Sequence, residues 1–101
     1  MTEKLQDNES ILSGQWDFKD GAVVQDAVCK RIEWLTNSFL QLVGVSGENW
    51  AALYLNPEDG SYWLLTYPNS DWHGGGPPQL KRISKKDDLN DYPDLSKLWD
   101  T

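Results

Sequence analysis

The sequence predicts an α+β fold: a small antiparallel sheet of about five strands packed against one main amphipathic helix, with a short C-terminal helix. Three observations support this prediction. A helical hydrophobic period follows Asp26, aromatic runs flank the turn-rich residues 56–60, and 101 residues suit one domain of about 100–150 residues. We therefore expect a single domain over residues 1–101, with the polar residues 1–10 flexible.

The first predicted elements are two strands joined by a tight turn. Residues 11–18 alternate loosely between apolar and polar side chains, which is typical of a half-buried strand. Asp20-Gly21 then precedes the apolar residues 22–24. Because Asp-Gly before an apolar run favours a tight turn, this segment predicts a β-hairpin.

The main helix carries the strongest periodic signal of the chain. Asp26 is a candidate N-cap. Apolar residues then recur at intervals of three or four: Val28, Ile32, Leu35, Phe39 and Leu42. This spacing predicts a helix of about 16–18 residues, and Gly44 is a suitable residue to end it.

A second hairpin is predicted in the C-terminal half. Residues 50–55 and 61–67 are rich in aromatic side chains, and the bridge 56–60 contains Pro, Asp and Gly. Residues 62–67 alternate between two faces. We expect one face to meet the core, and the other is unusually apolar for a face in solvent.

A long irregular segment, residues 68–78, follows this hairpin and contains Gly74-Gly75-Gly76 before two prolines. A phosphate-binding loop would need a following Lys-Ser or Lys-Thr, which is missing. We therefore predict a loop with positive φ angles held by the prolines. Residues 79–83 are a candidate last strand.

The C-terminal residues predict two short helical pieces. Ser84 and Asp87 resemble a capping box, which predicts a helix over residues 85–91 that Pro93 ends. One further helical turn that packs back on the domain is predicted by the apolar residues of the tail: Leu95, Leu98 and Trp99.

Charge restricts the possible partners. Nine basic and sixteen acidic residues give a net charge of −7, spread over both halves of the chain. Such a protein is repelled by phosphate backbones and attracted to basic partners, so we expect no direct binding to nucleic acid. No apolar leader and no membrane-spanning run is present, which predicts a cytoplasmic protein without membrane contact.

Catalytic and metal sites are not predicted. Cys29 is the one cysteine and His73 the one histidine. Cys29 lies on the apolar side of the predicted helix, where a free cysteine behaves as a small hydrophobic residue. A metal site needs three or four converging ligands. We therefore expect neither an enzyme nor a metal or cofactor, although a small hydrolase that uses His73 stays an alternative.

Six tryptophans are many for this length. Trp16, Trp34 and Trp63 fall in predicted regular elements and are expected in the core. Trp72 lies on the long loop and is the best candidate for an exposed binding anchor, since interface anchors are commonly Trp, Tyr or Arg. The other interpretation of Trp72 is a lid that folds onto the sheet.

Several motifs together resemble a known family. They are Leu12-x-Gly-x-Trp16, Cys29-x-Arg-Ile32-Glu-x-Leu35, Pro57-x-Asp-Gly-x-Tyr-Trp63, Leu65-Thr-Tyr-Pro68 and His73-Gly-Gly-Gly-Pro-Pro78. Over about residues 10–85 the chain resembles immunity protein family 27 of bacterial polymorphic toxin systems.

The resemblance implies a cytoplasmic antitoxin that binds and blocks a cognate toxin without catalysis, in a 1:1 complex. The toxin would be delivered by contact-dependent growth inhibition or a related secretion route. Because a nuclease needs a basic groove to hold phosphate, the acidity of this chain predicts a nuclease as the toxin.

The predicted toxin-facing patch combines carboxylates with one aromatic anchor. Its members are Glu58, Asp59, Asp71, Trp72 and His73. The carboxylates would steer the toxin and Trp72 would anchor it. A carbohydrate- or peptide-binding module, built on the aromatic sheet face and loop, is the alternative.

Overall fold

The computed structural model describes residues 5, 9–46, 51–68, 76–84, 86–90 and 92–98. The described strands, in chain order, are β1 (Ile11–Ser13), β2 (Trp16–Lys19), β3 (Ala22–Gln25), β4 (Gln41–Ser46), β5 (Ala51–Leu55), β6 (Tyr62–Thr66) and β7 (Gln79–Ile83). The helical elements are α1 (Ala27–Trp34), a π-helical turn (Leu35–Phe39), a 3-10 turn (Lys86–Leu89) and α2 (Pro93–Ser96).

Five of these strands form one antiparallel sheet in the order β1-β7-β6-β5-β4, and β2 and β3 pair separately. The predicted α+β class is confirmed, with one main helix and a short C-terminal helix. The β2–β3 hairpin is also confirmed. Its turn residues Asp20 and Gly21 have φ angles of 52° and 81°, as a two-residue turn between twisted strands requires.

The prediction of one strand over residues 11–18 is wrong, because the chain bends at Gly14 and Gln15. β1 pairs with β7 in the large sheet, whereas β2 pairs with β3. The Gly14 N–H donates to the carbonyl oxygen of Pro78 at 2.9 Å. A Cβ on Gly14 would lie 2.5 Å from the Cys29 sulfur, so only glycine fits this bend without a shift of its neighbours.

The main helix ends earlier than its period predicts. The N-cap at Asp26 is confirmed, but α1 passes into the π-helical turn. This turn ends at Leu40, whose backbone is extended and whose N–H donates to the Leu35 carbonyl oxygen at 2.7 Å. Leu42 lies in the edge strand β4 and is 58% exposed. Gly44 therefore does not end a helix, and lies against a methyl group of Leu98 beside an irregularity in the β4–β5 pairing.

Both faces of the sheet are covered, which explains the two apolar faces predicted for β6. On one face α1 and the π-helical turn bury Leu12, Ile32, Leu35, Leu40, Trp63 and Leu80. The opposite face and the C-terminal helical pieces share a second cluster: Ala51, Leu53, Leu64, Ile83, Leu89 and Leu95. Adjacent β6 residues thus belong to different clusters, as the period of two in a strand requires.

The C-terminal pieces differ from their predicted form. The helix predicted over residues 85–91 is a 3-10 turn, and the Ser84 N–H donates to the Asp88 carboxylate at 3.0 Å. Pro93 begins α2 instead of ending a helix, which suits a residue that lacks an N–H. The predicted turn that packs back is confirmed at Leu95, which is fully buried. Trp99 lies outside the described residues.

An ion pair ties the N-terminal segment to α1. The Arg31 guanidinium donates two hydrogen bonds to the Glu9 carboxylate, at 2.7 and 2.6 Å. Leu5 packs against the cluster on the α1 side of the sheet. In the part of the chain that the structure describes, no helix is long and apolar enough to cross a membrane.

We expect Gly14→Ala to lower the free energy of unfolding by about 1–3 kcal/mol, because its methyl group would overlap the Cys29 sulfur. Urea denaturation measures the change. The double variant with Cys29→Ala should recover part of the loss, since the overlapping sulfur is then gone. Equal losses in the single and double variants would show that this contact does not cause the instability.

Candidate functional site

The bend at Gly14 and Gln15 joins three parts of the chain. The Gln15 carbonyl oxygen accepts hydrogen bonds from the Asp26 N–H at 3.2 Å and from the Cys29 thiol at 3.4 Å. The Gly14 N–H meanwhile binds Pro78. The start of α1, the β1–β2 link and the chain before β7 are thereby held in fixed relative positions.

The start of α1 is stabilised by a local carboxylate. The Asp26 side chain accepts a hydrogen bond from the Cys29 N–H at 2.8 Å. Burial alone would raise the pKa of Asp26, but hydrogen bonds from Cys29 and other backbone groups outweigh it and hold the pKa below the usual 3.8. The helix therefore begins with an ionised cap at neutral pH.

Cys29 is a structural residue in this arrangement. Its side chain is 1% exposed. Burial and the neighbouring Asp26 raise the pKa of the Cys29 thiol above its usual 9.0. A protonated, buried thiol is a poor nucleophile, which agrees with the expectation that Cys29 behaves as a small hydrophobic residue.

A cleft of about 420 Å³ lies between α1, the π-helical turn and the sheet. We call it the aromatic cleft. Its half-buried rings are Trp16, Tyr54 and Tyr67. Cys29 and Ile32, both buried, form its floor. The recess combines aromatic and apolar side chains with polar groups that can orient a bound group, as binding sites do.

The polar rim of the aromatic cleft comes from α1 and the π-helical turn. Glu33 and Asn37 are exposed at this rim, and Thr36 is half-buried. The Thr36 hydroxyl donates to the Ile32 carbonyl oxygen at 2.9 Å. π-helical turns frequently occur at functional sites because they change the direction of side chains within a helix. Sequence periodicity gives no sign of this turn, so these rim residues were not predicted.

Tyr54 links the sheet to this rim. Burial and the neighbouring Tyr67 raise the pKa of Tyr54 above its usual 10.0, while a hydrogen bond with Thr36 opposes the change. The Tyr54 hydroxyl is therefore neutral at physiological pH. Tyr54 lines the cleft with an aromatic ring and a polar group without adding charge.

The segment that contains three of the five predicted site residues begins and ends at the aromatic cleft. Tyr67 and Gly76, which lie on either side of residues 68–75, both line it. Gly76 has a φ of 75°, so the positive φ predicted for the glycine run is confirmed there. Asp71, Trp72 and His73 lie outside the described residues, and their role in toxin binding stays a prediction.

The other two predicted site residues lie at the opposite end of β6. Glu58 and Asp59 are exposed in the β5–β6 turn, which precedes β6, whereas residues 69–75 follow it. A five-residue strand is about 17 Å long. The two described members, Glu58 and Asp59, therefore lie at the start of β6, and the union of all five residues in one interface stays a prediction.

Asp59 has a structural role that the sequence analysis missed. Its Oδ1 accepts hydrogen bonds from the Ser61 N–H at 2.9 Å and the Ser61 hydroxyl at 2.6 Å. The Ser61 oxygen in turn accepts a bond from the Trp63 indole at 2.8 Å. The Ser61 hydroxyl and, more weakly, Arg82 lower the pKa of Asp59. The spacing Asp-x-Ser is a turn signal that could have indicated this role.

The tryptophans expected in the core divide into two groups. Trp63 is 1% exposed, as predicted, and is therefore not available to stack on a sugar ring. Trp34 is half-buried and stacks on Phe39 with ring centroids 6.0 Å apart. Trp16 is also half-buried, and it lines the aromatic cleft.

A second recess of about 400 Å³ adjoins the aromatic cleft on the other side of Trp16 and Pro78. Ser13, Gln15 and Pro77 line it. Among the described residues, no group of three or more His, Cys, Asp or Glu could hold a metal ion. The aromatic cleft is thus the best candidate site, and its chemistry suits a side chain of a partner.

Comparison with known families identifies the class: the protein is an immunity protein, an antitoxin whose partner is a cognate toxin. In particular, the chain belongs to the immunity protein 27 family, whose model matches residues 18–84. The predicted resemblance is confirmed. The matched region includes α1, the π-helical turn and strands β4–β7. No curated protein and no solved structure matches the chain.

We expect Asp59→Ala to lower the free energy of unfolding by about 1–2 kcal/mol, because it removes the acceptor of two Ser61 hydrogen bonds. The matched change Glu58→Ala, one residue earlier and also exposed, should stay within about 0.5 kcal/mol. Urea denaturation of both variants measures the difference. Equal effects would contradict a structural role specific to Asp59.

Stability should fall in acid because Asp26 and Asp59 have pKa values below 3.8 in the folded protein. Their contribution is fully present above the unfolded value of 3.8 and is lost as the pH falls through the lower folded values. Unfolding free energies measured from about pH 6 to about pH 2.5 test this. Asp59→Asn should flatten the curve in that acid range, and an unchanged curve would contradict the assignment.

Proposed function

We propose that this protein neutralises its cognate toxin by occupying the toxin's substrate groove, without turnover, and that the toxin is a nuclease. Membership in the immunity protein 27 family supports the antitoxin role. The net charge of −7 is the observation that carries the finer proposal. A nuclease holds phosphate in a basic groove, and an acidic inhibitor is complementary to that groove.

Exposed carboxylates supply the attraction in this proposal. They occur at the β2–β3 turn, in the β5–β6 turn and on α2: Asp20, Glu58, Asp59 and Asp94. Charges spread in this way raise the rate of encounter with a basic partner more than they strengthen the final complex. The same charges oppose direct binding of this protein to nucleic acid.

Occupancy instead of turnover is supported by the state of Cys29. The only cysteine is buried beneath the aromatic cleft and donates its thiol hydrogen to Gln15. It is therefore not an accessible nucleophile. The inhibitor then acts in proportion to the amount bound, as a cytoplasmic 1:1 complex with a toxin delivered by contact-dependent growth inhibition or a related route.

Co-expression tests this proposal in cells. The cognate toxin domain, to be sought first in the gene immediately upstream, should kill the host when expressed alone, and expression of this protein should restore growth. In vitro, the purified pair should elute from gel filtration as a 1:1 complex. The association rate should fall at least about tenfold between low salt and about 0.5 M NaCl, because salt screens the steering charges.

Two results would contradict the proposal. A toxin that cleaves no nucleic acid and lacks a basic groove would remove the nuclease assignment. An association rate that does not change with salt would show that the acidic surface does not guide binding.

A further inference from the structure

We propose that the aromatic cleft is the anchor pocket of this protein and receives one Lys or Arg side chain of the cognate toxin. This inference rests on the proposed function, since it takes a basic toxin as the partner. It adds a site that lies apart from the exposed Glu58 and Asp59 turn.

The walls of the cleft favour a cation. Trp16, Tyr54 and Tyr67 present half-buried rings, and the negative face of such a ring attracts an ammonium or guanidinium within about 6 Å of its centre. The apolar stem of Lys or Arg can pack on Ile32 and Leu65, which also line the cleft. Partial desolvation in such a recess strengthens the attraction to the rings.

Glu33 supplies the charge that an inserted cation needs. It is the only ionised side chain among the described lining residues, and it lies exposed at the rim. A partly buried cation is stable only with a counter-charge nearby. The adjacent Arg31 does not fill the cleft, because its guanidinium is held by Glu9 at 2.6 and 2.7 Å.

The cleft is already formed before a partner binds, which favours a large contribution of this site to the binding free energy. Gly14 and Gln15 fix α1 against residues 76–78, and the Thr36 hydroxyl is tied to Ile32 at 2.9 Å. A partner side chain that enters such a pocket does not have to order it first. Side chains that fill well-packed pockets at the centre of an interface usually carry most of the binding free energy.

The test uses the complex of this protein with the toxin domain identified by the co-expression experiment. Glu33→Gln keeps the size of the side chain and removes its charge, and should raise Kd at least about tenfold, mainly through faster dissociation. The matched control Asp94→Asn removes the same charge from α2, which lies on the opposite face of the sheet. Asp94→Asn should change Kd less than about threefold at low salt and not at all at about 0.5 M NaCl. The loss of affinity caused by Glu33→Gln should persist at about 0.5 M NaCl.

The rings are tested separately. Tyr67→Leu should raise Kd about five- to tenfold, and Tyr67→Phe should raise it less, because the phenyl ring still attracts a cation. Replacing each toxin Lys and Arg in turn, with and without Glu33→Gln, should reveal one cation coupled to Glu33 by at least about tenfold. Thermal unfolding of each variant confirms that it is folded.

The outcomes separate the two proposals. If the toxin domain does not bind this protein, the proposed function and this inference both fail. If the complex forms and Glu33→Gln behaves like Asp94→Asn, or if no toxin cation couples to Glu33, the proposed function stands and the anchor pocket is wrong.

Discussion

The structure depends on a close approach of three chain segments at Gly14. A Cβ at this position would lie 2.5 Å from the Cys29 sulfur and 3.0 Å from the Pro78 carbonyl oxygen. Because glycine leaves this space open, α1 packs against the bend while the Gly14 N–H binds Pro78 at 2.9 Å. At this bend the chain passes from β1 in the large sheet to β2 in its own hairpin, and the two residues that approach Gly14, Cys29 and Pro78, both line the aromatic cleft. A local packing constraint thus positions the candidate site.

The two faces of the sheet differ in what covers them. The C-terminal helical pieces cover one face with a second apolar cluster that includes Leu89 and Leu95. The other face carries α1, and the aromatic cleft opens at its margin. In the binding mode that we propose, the widely spread carboxylates act during encounter with the partner, and the cleft anchors it. Acidic side chains act at a distance, whereas an anchor acts only after contact.

Local sequence signals predicted much of the fold. The Asp26 cap, the Asp20-Gly21 turn and the two faces of β6 each depend on neighbouring residues, and each is confirmed. The errors have tertiary causes. Leu42 continues the helical spacing by coincidence, and pairing with β5 places it in a strand. The bend at Gly14 depends on contacts with Cys29 and Pro78, which lie far along the chain. The alternation within residues 11–18 therefore gives no sign of it. The rim of the cleft depends on the π-helical turn, which leaves no periodic signature.

Inhibition by occupancy of the toxin, which we propose for this protein, has to be stoichiometric. The most direct measurement is a titration of purified toxin with this protein at toxin concentrations far above Kd, scored by cleavage of a nucleic-acid substrate. With occupancy, toxin activity should fall linearly and reach zero at about one molar equivalent, because each inhibitor molecule blocks one toxin molecule. Complete loss of activity at a small fraction of an equivalent would indicate turnover and contradict the account. Full activity with excess inhibitor present would contradict it as well.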